Sequence, residues 1–505
     1  MNYLFELIRA RMPARDTHCL ETETGAVLSY GDVLDGSGRY ANALVRLGVS
    51  AGDRVAVQLE KSPEALLLYL ACIRAGAVFL PLNPAYALRE VEYFLQDAEP
   101  VLVVCAPAKR HQIEAIAGTR IAVETLGQDG DGSLAKRAGA ESPDFTDRQR
   151  DPDDLAAILY TSGTTGRSKG AMLTHGNLAS NALTLVDHWR FTRDDVLIHA
   201  LPIFHTHGLF VACHVTLFAG ASMLFFQRFD AGQIIAAFER ATTMMAVPTF
   251  YVRLLADPKL TSARLDHMRL FVSGSAPLLP ETFNAWRERA GHAILERYGM
   301  TETNMNTSNP YDGDRLPGTV GMPLPGVELR IAEPATGEIL PVEQIGMIEV
   351  RGPNVFKGYW RMPEKTAEEF RPDGFFITGD LGKIDSRGYV HIVGRGKDLI
   401  ISGGFNIYPK EVESEIDLLP GVAESAVIGL SHPDFGEGVT AVVVRKSDAT
   451  LDEAAIIQGL EDRLARYKQP KRVLFVDELP RNTMGKVQKN VLRQNYADLY
   501  VAPSP

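Results

Sequence analysis

Along most of this chain, segments with the apolar pattern of a strand alternate with segments that have the apolar pattern of a helix. The stretch "DRVAVQL", from Asp53, is typical of a strand. "PEALLLYLACIRAG", from Pro63, has the length of a buried helix, with proline near its start and glycine at its end. "AVFLPL", "LREVEYFLQDAEP" and "VLVVCAP" continue the order strand, helix, strand. This alternation predicts α/β layers built on parallel strands.

The pattern changes twice in the second half of the chain. From Gly318 to about Val393, short alternating segments such as "GMIEVRG" and "GYVHIVG" lie between glycine and proline turns, which predicts a small β-rich subdomain. After "GRGKD" the helical and strand patterns return in "KEVESEIDLL", "VAESAVIGL", "GVTAVVVR" and "AAIIQGLEDRLARY". We therefore predict a large N-terminal domain over residues 1–394 and a small α+β C-terminal domain over residues 399–505.

Composition narrows the class of protein. The chain has 505 residues, of which 45% are hydrophobic and 23% are charged, and these values are typical of a globular protein. Its most apolar stretch, "ALLLYLACIRAGAVFLPL", carries Arg74, Gly76 and Pro81, which favours a buried helix and strand over a membrane span. The N-terminus has no charged start followed by a sustained apolar run, so we expect no signal peptide.

Charge and cysteine usage exclude two further classes. A net charge of −11 argues against a nucleic-acid-binding protein, and any anionic ligand must be held by local groups. The four cysteines are scattered, which fits neither a disulfide framework nor a zinc site. We expect a cytoplasmic protein without nucleic-acid or membrane partners.

"YTSGTTGRSKG", from Tyr160 to Gly170, is the strongest local signal for a ligand. Glycines allow backbone N–H groups to approach a phosphate, and the hydroxyl and cationic side chains add donors. A solvated loop rich in glycine, serine and threonine would have the same composition. The sequence does not match GxxxxGK[ST], so a motor-type NTPase is disfavoured.

Further motifs follow in a fixed order: "LPIFHTHG", "VSGSAPL", "RYGMTET", "FFITGDLG", "GRGKDLIISGGFNIYP" and "PRNTMGKVQK". This set resembles the adenylate-forming superfamily, which includes acyl-CoA synthetases, over essentially the whole chain. The resemblance implies two steps. A carboxylate attacks the α-phosphate of ATP in the presence of Mg²⁺, and a thiol, coenzyme A in the synthetases, then displaces AMP from the acyl-AMP. It also implies a C-terminal domain that rotates about a hinge, predicted at residues 395–398, where Lys397 matches the family's hinge position.

The resemblance implies a role for each residue that matches a motif. It places Thr301 at the α-phosphate and Glu302, with Thr161, at Mg²⁺. It places Asp380 and Arg395 at the ribose. The remaining nucleotide contacts that it implies are Thr161, Ser162, Gly163, Thr164, Thr165, Gly166, Lys169, Gly274, Ser275, Ala276, Pro277, Glu296, Tyr298, Gly299 and Met300.

The C-terminal motifs resemble mobile catalytic segments. Lys486 would reach the junction of carboxylate and phosphate during adenylation, where an ammonium stabilises developing charge. The same segment resembles a site of lysine acetylation, so an acetyltransferase and a deacetylase are candidate partners. Gly403, Gly404 and Asn406 would face the coenzyme A channel.

The acyl pocket is predicted from "FHTHG", "VSGS" and "ERYG". Its candidate residues are His205, also a candidate catalytic residue, Thr206, His207, Arg253, Ser273 and Arg297. Fatty-acid and aryl members typically have glycine where this chain has Arg297. A guanidinium in an apolar tunnel requires an anionic partner, which a second carboxylate on the substrate would supply. The alternatives are that Arg297 turns outward to Glu296, that Arg253 faces solvent, and that the histidines are structural.

"ERYGMTETNMNTSNPYDGDR" and the neighbouring motifs resemble malonyl-CoA synthetases, which implies malonate as substrate and methylmalonate as an analogue. Three alternatives stay open. They are a short- or medium-chain monocarboxylate CoA ligase, a stand-alone adenylation enzyme that loads a carrier protein, and a nucleotide-binding regulator without ligase activity.

Overall fold

The computed structural model describes residues 1–161, 168–402, 405–447, 449–461, 463–483 and 485–500. The helices in this part of the chain are α1 Tyr3–Arg9, α2 Tyr30–Arg46, α3 Pro63–Ala75, α4 Leu88–Ala98, α5 Arg110–Ala117, α6 Ser133–Gly139, α7 His175–His188, α8 His214–Ala219, α9 Ala231–Ala237, α10 Pro248–Ala256, α11 Pro280–Ala290, α12 Pro363–Glu368, α13 Pro409–Asp417, α14 Glu453–Gly459 and α15 Lys489–Asn495. A π-helical segment, His207–Cys213, precedes α8.

The strands of the described part of the chain are interspersed with these helices along the sequence. They are β1 His18–Thr22, β2 Val27–Ser29, β3 Arg54–Gln58, β4 Val78–Pro81, β5 Leu102–Cys105, β6 Ala122–Thr125, β7 Leu155–Thr161, β8 Lys169–Thr174, β9 Val196–His199, β10 Ser222–Phe225, β11 Thr243–Ala246, β12 Leu270–Ser273, β13 Leu295–Met300, β14 Asn304–Ser308, β15 Met322–Pro323, β16 Glu328–Ala332, β17 Gly346–Arg351, β18 Gly358–Tyr359, β19 Phe376–Ile384, β20 Val390–Arg395, β21 Ile400–Ser402, β22 Phe405–Ile407, β23 Val422–His432, β24 Gly436–Arg445 and β25 Arg472–Val476.

The chain packs into two compact units. The first comprises Met1–Glu328 and Val350–Phe376, and the second comprises Leu329–Glu349 and Ile377–Pro505. Helices and strands alternate as the sequence predicts, and the α/β fold class is confirmed. The second unit contains residues 329–349 and 377–394 in addition to the predicted C-terminal domain. The hinge at residues 395–398 stays a prediction.

Two sheets organise the first unit. One has the strand order β15-β14-β13-β12-β11-β9-β10-β1-β2, and the other has the order β18-β8-β7-β4-β3-β5-β6. Strands β9 to β13 pair in parallel within the first sheet, as β3 to β6 do within the second. The predicted parallel layers are therefore present.

Helix α3 shows how the sequence sets these elements. The Ser62 side chain accepts a hydrogen bond from the N–H of Ala65 and caps the helix start, and Pro63 occupies the first turn. Gly76 ends the helix in a left-handed conformation, with φ of 71°. The helix is buried from Ala65 to Ala75, as expected of a helix that is apolar on all sides. No helix in the described part of the chain is long and apolar enough to cross a membrane.

An aromatic core fixes the end of β12, where the candidate site begins. Tyr251 on α10 and Trp286 on α11 are fully buried and pack edge to face, with ring centroids 4.9 Å apart. The Tyr251 hydroxyl donates to the carbonyl of Val272 at 2.9 Å. This contact holds α10 against β12 one residue before Ser273.

The second unit contains the sheet β16-β17-β19-β20 and a five-stranded sheet formed by β21 to β25. Val412 and Ile416 on α13 share a buried core with Val427 and Val443 of the five-stranded sheet. The predicted helix "AAIIQGLEDRLARY" is shorter than expected, because α14 ends at Gly459. Glycine is a poor helix former, which explains the early end.

Candidate active site

Adjacent parallel strands bring the predicted acyl-pocket residues together. Strand β12 pairs with β13 so that Ser273 lies opposite Glu296. Gly274, the residue after the carboxyl end of β12, therefore lies beside Arg297 of β13. Ligand sites in open α/β sheets form at this edge.

Arg297 is almost completely buried, with 3% of its surface exposed. Its Nε and Nη2 atoms have no hydrogen-bond partner among the described residues. Burial lowers the pKa of the guanidinium to about 9, and the charge of Glu296 opposes this shift. The alternative in which Arg297 turns outward to pair with Glu296 is wrong, because the side chain points into the protein.

Glycine at position 274 leaves room for this orientation of Arg297. A Cβ atom on Gly274 would lie 2.4 Å from Cζ of Arg297, well inside van der Waals contact. The guanidinium thus lies directly on the backbone that follows β12. Ser275 comes next with φ of 71°, a left-handed conformation that is uncommon for serine. Strain of this kind is concentrated at functional sites.

The "FHTHG" segment lies beside this guanidinium. His207 Nδ1 is 3.1 Å from Ser275 Oγ, and the His207 N–H donates to His205 Nδ1 at 3.2 Å. Burial, followed by the charge of Arg297, lowers the pKa of His205 to about 4 and places that of His207 well below its usual range. Both imidazoles are therefore neutral at pH 7, and Arg297 supplies the positive charge of this cluster.

Further polar atoms of this region are buried without a hydrogen-bond partner in the part of the chain that the structure describes. They are Thr206 Oγ1, His207 Nε2 and Ser273 Oγ. Buried polar groups in folded proteins are almost always hydrogen-bonded, and each exception requires an explanation. A ligand that carries negative charge and hydrogen-bond acceptors would satisfy the guanidinium and the hydroxyls at once. We call Thr206, His207, Ser273 and Arg297 the acyl-pocket cluster.

Arg253 does not join this cluster. It lies on the exposed side of α10, next to Val252, whereas Tyr251 and Leu254 form the buried side. The amphipathic pattern of the helix determines this orientation, so the position does not support a second clamp on the substrate.

The predicted phosphate and metal residues form a connected network in the first unit. Glu302 Oε1 lies 3.4 Å from Thr161 Oγ1 and 3.1 Å from the Tyr359 hydroxyl. That hydroxyl is also 2.6 Å from Glu369 Oε2. Lys169 donates to Glu369 Oε1 at 2.9 Å, and its ammonium lies 3.9 Å from the centroid of the Tyr359 ring. One set of contacts therefore connects Lys169 and Glu302 through Tyr359 and Glu369.

Sequence reasoning missed Tyr359 and Glu369. Tyr359 belongs to "GYW", a short strand that pairs with β8, and only this pairing places it beside Lys169. Glu369 looks like one of several surface acids in "PEKTAEEF". No local pattern distinguishes it.

The remaining nucleotide residues of the first unit follow β12, lie on β13 or come directly after it. Gly274 is buried, Ser275 and Ala276 are half-buried, and Pro277 is exposed. Glu296 accepts from the N–H of Leu278 at 3.0 Å, which closes the turn between them. Tyr298 is buried, with Gly299, Met300 and Thr301 half-buried after it. A Cβ atom on Gly299 would lie 1.9 Å from the carbonyl oxygen of Asn304, so only glycine fits there.

The second unit positions a separate group of charges. Asp380 and Arg395 face each other across β19 and β20, with Arg395 Nε 2.7 Å from Asp380 Oδ1. Lys486 follows a tight turn in which its N–H donates to the Asn482 side chain at 3.0 Å. Although the residue as a whole is exposed, desolvation of its ammonium, followed by the charge of Arg395, lowers the pKa to about 8. Lys397 is exposed as a whole residue, and partial desolvation of its ammonium lowers its pKa.

Some predicted residues lie outside the described part of the chain. They are Ser162, Gly163, Thr164, Thr165 and Gly166 of the phosphate loop, and Gly403 and Gly404 of the coenzyme A loop. Asn406 is described only in its backbone, as part of β22.

The two-unit fold and these motif positions are those of an adenylate-forming enzyme. Residues 8–360 match the AMP-binding enzyme family, and residues 411–486 match the AMP-binding enzyme C-terminal domain. The chain therefore belongs to the AMP-binding enzyme family.

Individual relatives are similar over nearly the whole chain. The ATP-bound MatB structure from Rhodopseudomonas palustris is 64% identical with a TM-score of 0.97, and 99% of each chain is covered. A feruloyl-CoA synthase of Amycolatopsis sp is 38% identical, with 97% of each chain covered. A malonate–CoA ligase of Arabidopsis thaliana is 34% identical, covering 89% of this chain and 79% of the relative.

Proposed function

We propose that this enzyme joins malonate to coenzyme A through a malonyl-AMP intermediate, using ATP and releasing AMP and pyrophosphate. The observation that carries the proposal is the buried guanidinium of Arg297, whose Nε and Nη2 find no hydrogen-bond partner within the described ranges. A carboxylate that accepts from both nitrogens would compensate the burial of the charge. Malonate brings one carboxylate for this contact and a second one for adenylation.

Between the two relatives whose names give a substrate, overall identity does not choose ferulate or malonate, and both are far less identical to this chain than the MatB structure is. The feruloyl-CoA synthase is slightly more identical to this chain than the malonate–CoA ligase is. Ferulate has an aromatic body where malonate has a second carboxylate, and an aromatic ring next to a buried unpaired guanidinium would leave that charge uncompensated. The acyl-pocket cluster therefore supports a short dicarboxylate, and methylmalonate keeps the same two carboxylates.

In the first step the malonate carboxylate attacks the α-phosphate and pyrophosphate leaves. Lys169 neutralises the departing phosphates, and Thr301 contacts the α-phosphate. Asp380 and Arg395 hold the ribose, since a carboxylate has two acceptor oxygens for its two hydroxyls. Lys486 supplies positive charge at the reacting oxygens. In the second step the thiol of coenzyme A attacks the malonyl carbonyl and AMP leaves, and Lys397 lies in the proposed hinge.

The residues present are suited to Mg²⁺. Glu302 is buried and offers a carboxylate, with the Thr161 hydroxyl 3.4 Å away. No group of three or more histidine, cysteine or acidic side chains is arranged around a metal position in the described ranges. Mg²⁺ is usually held by one or two carboxylates together with substrate phosphates, so a single glutamate fits. The ion would neutralise charge on the phosphates.

A substrate panel tests the proposal. The kcat/KM of AMP formation would be measured with acetate, propionate, malonate, methylmalonate and succinate, each with and without coenzyme A. We expect malonate to be preferred, with methylmalonate next and sustained turnover only with the thiol. A preference for propionate would establish the monocarboxylate ligase instead. Adenylation without transfer to coenzyme A would point to a carrier protein, and no AMP with any acid would favour the regulator.

A further inference from the structure

Lys61 is a buried lysine for which the proposed chemistry has no use. It lies in the loop between β3 and α3 with 6% of its surface exposed. Its Nζ donates to the carbonyl of His199 at 2.8 Å and lies 2.8 Å from His199 Nδ1. The ring centroid of Phe225 is 4.1 Å away. Among the described residues no carboxylate forms an ion pair with Lys61, although a buried ammonium is costly without one.

The contacts of Lys61 determine the tautomer of His199. An ammonium group has donors only, so Nδ1 of His199 must accept and the ring proton must lie on Nε2. His199 is fully buried, and its Nε2 is 2.9 Å from the carbonyl oxygen of Gly208. The Nε2–H therefore donates to Gly208.

Gly208 is the residue that follows His207 of the acyl-pocket cluster. A Cβ atom at this position would lie 2.0 Å from the carbonyl oxygen of Pro202, so the backbone of Gly208 is in close contact with the backbone of Pro202. The next residue, Leu209, donates its N–H to the carbonyl of His205 at 3.0 Å. The turn is thus held by Pro202 on one side and by His199 on the other. It opens the π-helical segment, a form found frequently at functional sites.

We propose that Lys61 is a positioning residue of the acyl pocket: it fixes the His199 tautomer, and the His199 Nε2–H then holds the Gly208 carbonyl and the attached residues His205 to His207. This inference rests on the proposed function, since it assigns Lys61 to the binding of the same acid substrate. Binding sites depend on the support of their contact residues, and small displacements weaken them strongly.

Lys61→Met tests the proposal, because methionine has a similar length and no charge. We expect the KM for malonate to rise about tenfold, with the KM for ATP within about twofold of wild type and the melting temperature not lowered. His199→Gln, whose amide N–H can replace Nε2–H, should keep more malonate affinity than His199→Leu.

Tyr69→Phe is the matched control. It also removes a buried hydrogen bond to a histidine, since the Tyr69 hydroxyl lies 2.7 Å from Nε2 of His214, which follows the π-helical segment on α8. This variant should keep the malonate KM of wild type. If Lys61→Met leaves the malonate KM unchanged, or raises both KM values alike, the proposal is overturned and Lys61 is a structural residue.

The pH dependence of the malonate KM provides a second measurement. Burial lowers the pKa of Lys61 to about 7. The other groups that face the pair are Glu23, which favours the ammonium, and Cys213, whose thiol pKa burial raises to about 12. The pKa of His199 itself is well below its usual range.

A neutral amine can either donate to Nδ1 or accept from Nδ1–H, so Lys61 no longer enforces the Nε2–H tautomer once it loses its proton, and the Gly208 carbonyl alone still favours that tautomer. We expect the malonate KM of wild type to rise between pH 6 and pH 8, below the range in which Arg297 loses its proton, and that of Lys61→Met to be high and flat over the same interval. Parallel profiles would contradict the proposal. If wild type prefers another acid, the proposed function fails, and the KM of that acid in the same variants still decides the role of Lys61.

Discussion

Replacing Arg297 with methionine should lower the selectivity for malonate and raise the thermal stability of the ligand-free protein. The side chain is buried, and the pKa of its guanidinium is lowered to about 9 by that burial. A lowering of this size corresponds to roughly 4–5 kcal/mol of destabilisation of the charged form, at about 1.36 kcal/mol per pKa unit. The substrate carboxylate must offset a penalty of this order. Removing one partner of a desolvated pair costs about 3–5 kcal/mol, in agreement with that figure.

For malonate, Arg297→Met should therefore lower kcat/KM by roughly a hundred- to several-thousand-fold. Propionate lacks the second carboxylate, so its kcat/KM should be unchanged or higher, because the wild-type pocket leaves the guanidinium unpaired with this acid. Without ligand, the variant should melt at a higher temperature than wild type, since an uncompensated buried charge is gone.

The assay is the ratio of malonate to propionate kcat/KM in both proteins, together with thermal unfolding without ligand. Arg253→Met is the matched control, because Arg253 is an exposed arginine on α10 and its loss should leave both measurements near wild type. An unchanged ratio in Arg297→Met would refute the carboxylate contact and make His207 the leading alternative. A lower melting temperature would show that Arg297 is structural.

Three further changes probe the nucleotide and hinge residues. Lys486→Ala should nearly abolish pyrophosphate exchange, while preformed malonyl-AMP should still react with coenzyme A. Acetylation of Lys486 should have the same effect, because it removes the same charge. Equal loss of both half-reactions would contradict the proposed role of Lys486. Lys397→Pro should spare adenylation and lower coenzyme A-dependent turnover, because proline restricts rotation, whereas equal losses would indicate misfolding or a misplaced hinge. Glu369→Gln should release Lys169 for the phosphates and lower the KM for ATP by about threefold, and a higher KM would mean that Glu369 assists Lys169 instead.

The sequence by itself determined the layers and the chemistry of the motifs. The apolar runs of β3, β4 and β5 and the capped helix α3 are local patterns, set by propensity, capping and periodicity, and they predict parallel α/β layers directly. The ordered motifs predict the family for a similar reason, since each is a short contiguous segment. Arg297 was also identified from its own motif as a guanidinium in need of an anion.

Only the tertiary structure decided which side chains meet. Whether Arg297 turned inward depended on Gly274, which lies 23 residues earlier in the chain and beside it only because β12 and β13 pair in parallel. The sequence also predicts Arg253 as a substrate contact, but Tyr251 packs against Trp286 on the buried side of α10, so Arg253 faces outward. The contact of Lys61 with His199 joins residues 138 positions apart. Such contacts depend on long-range packing, which local sequence patterns do not encode.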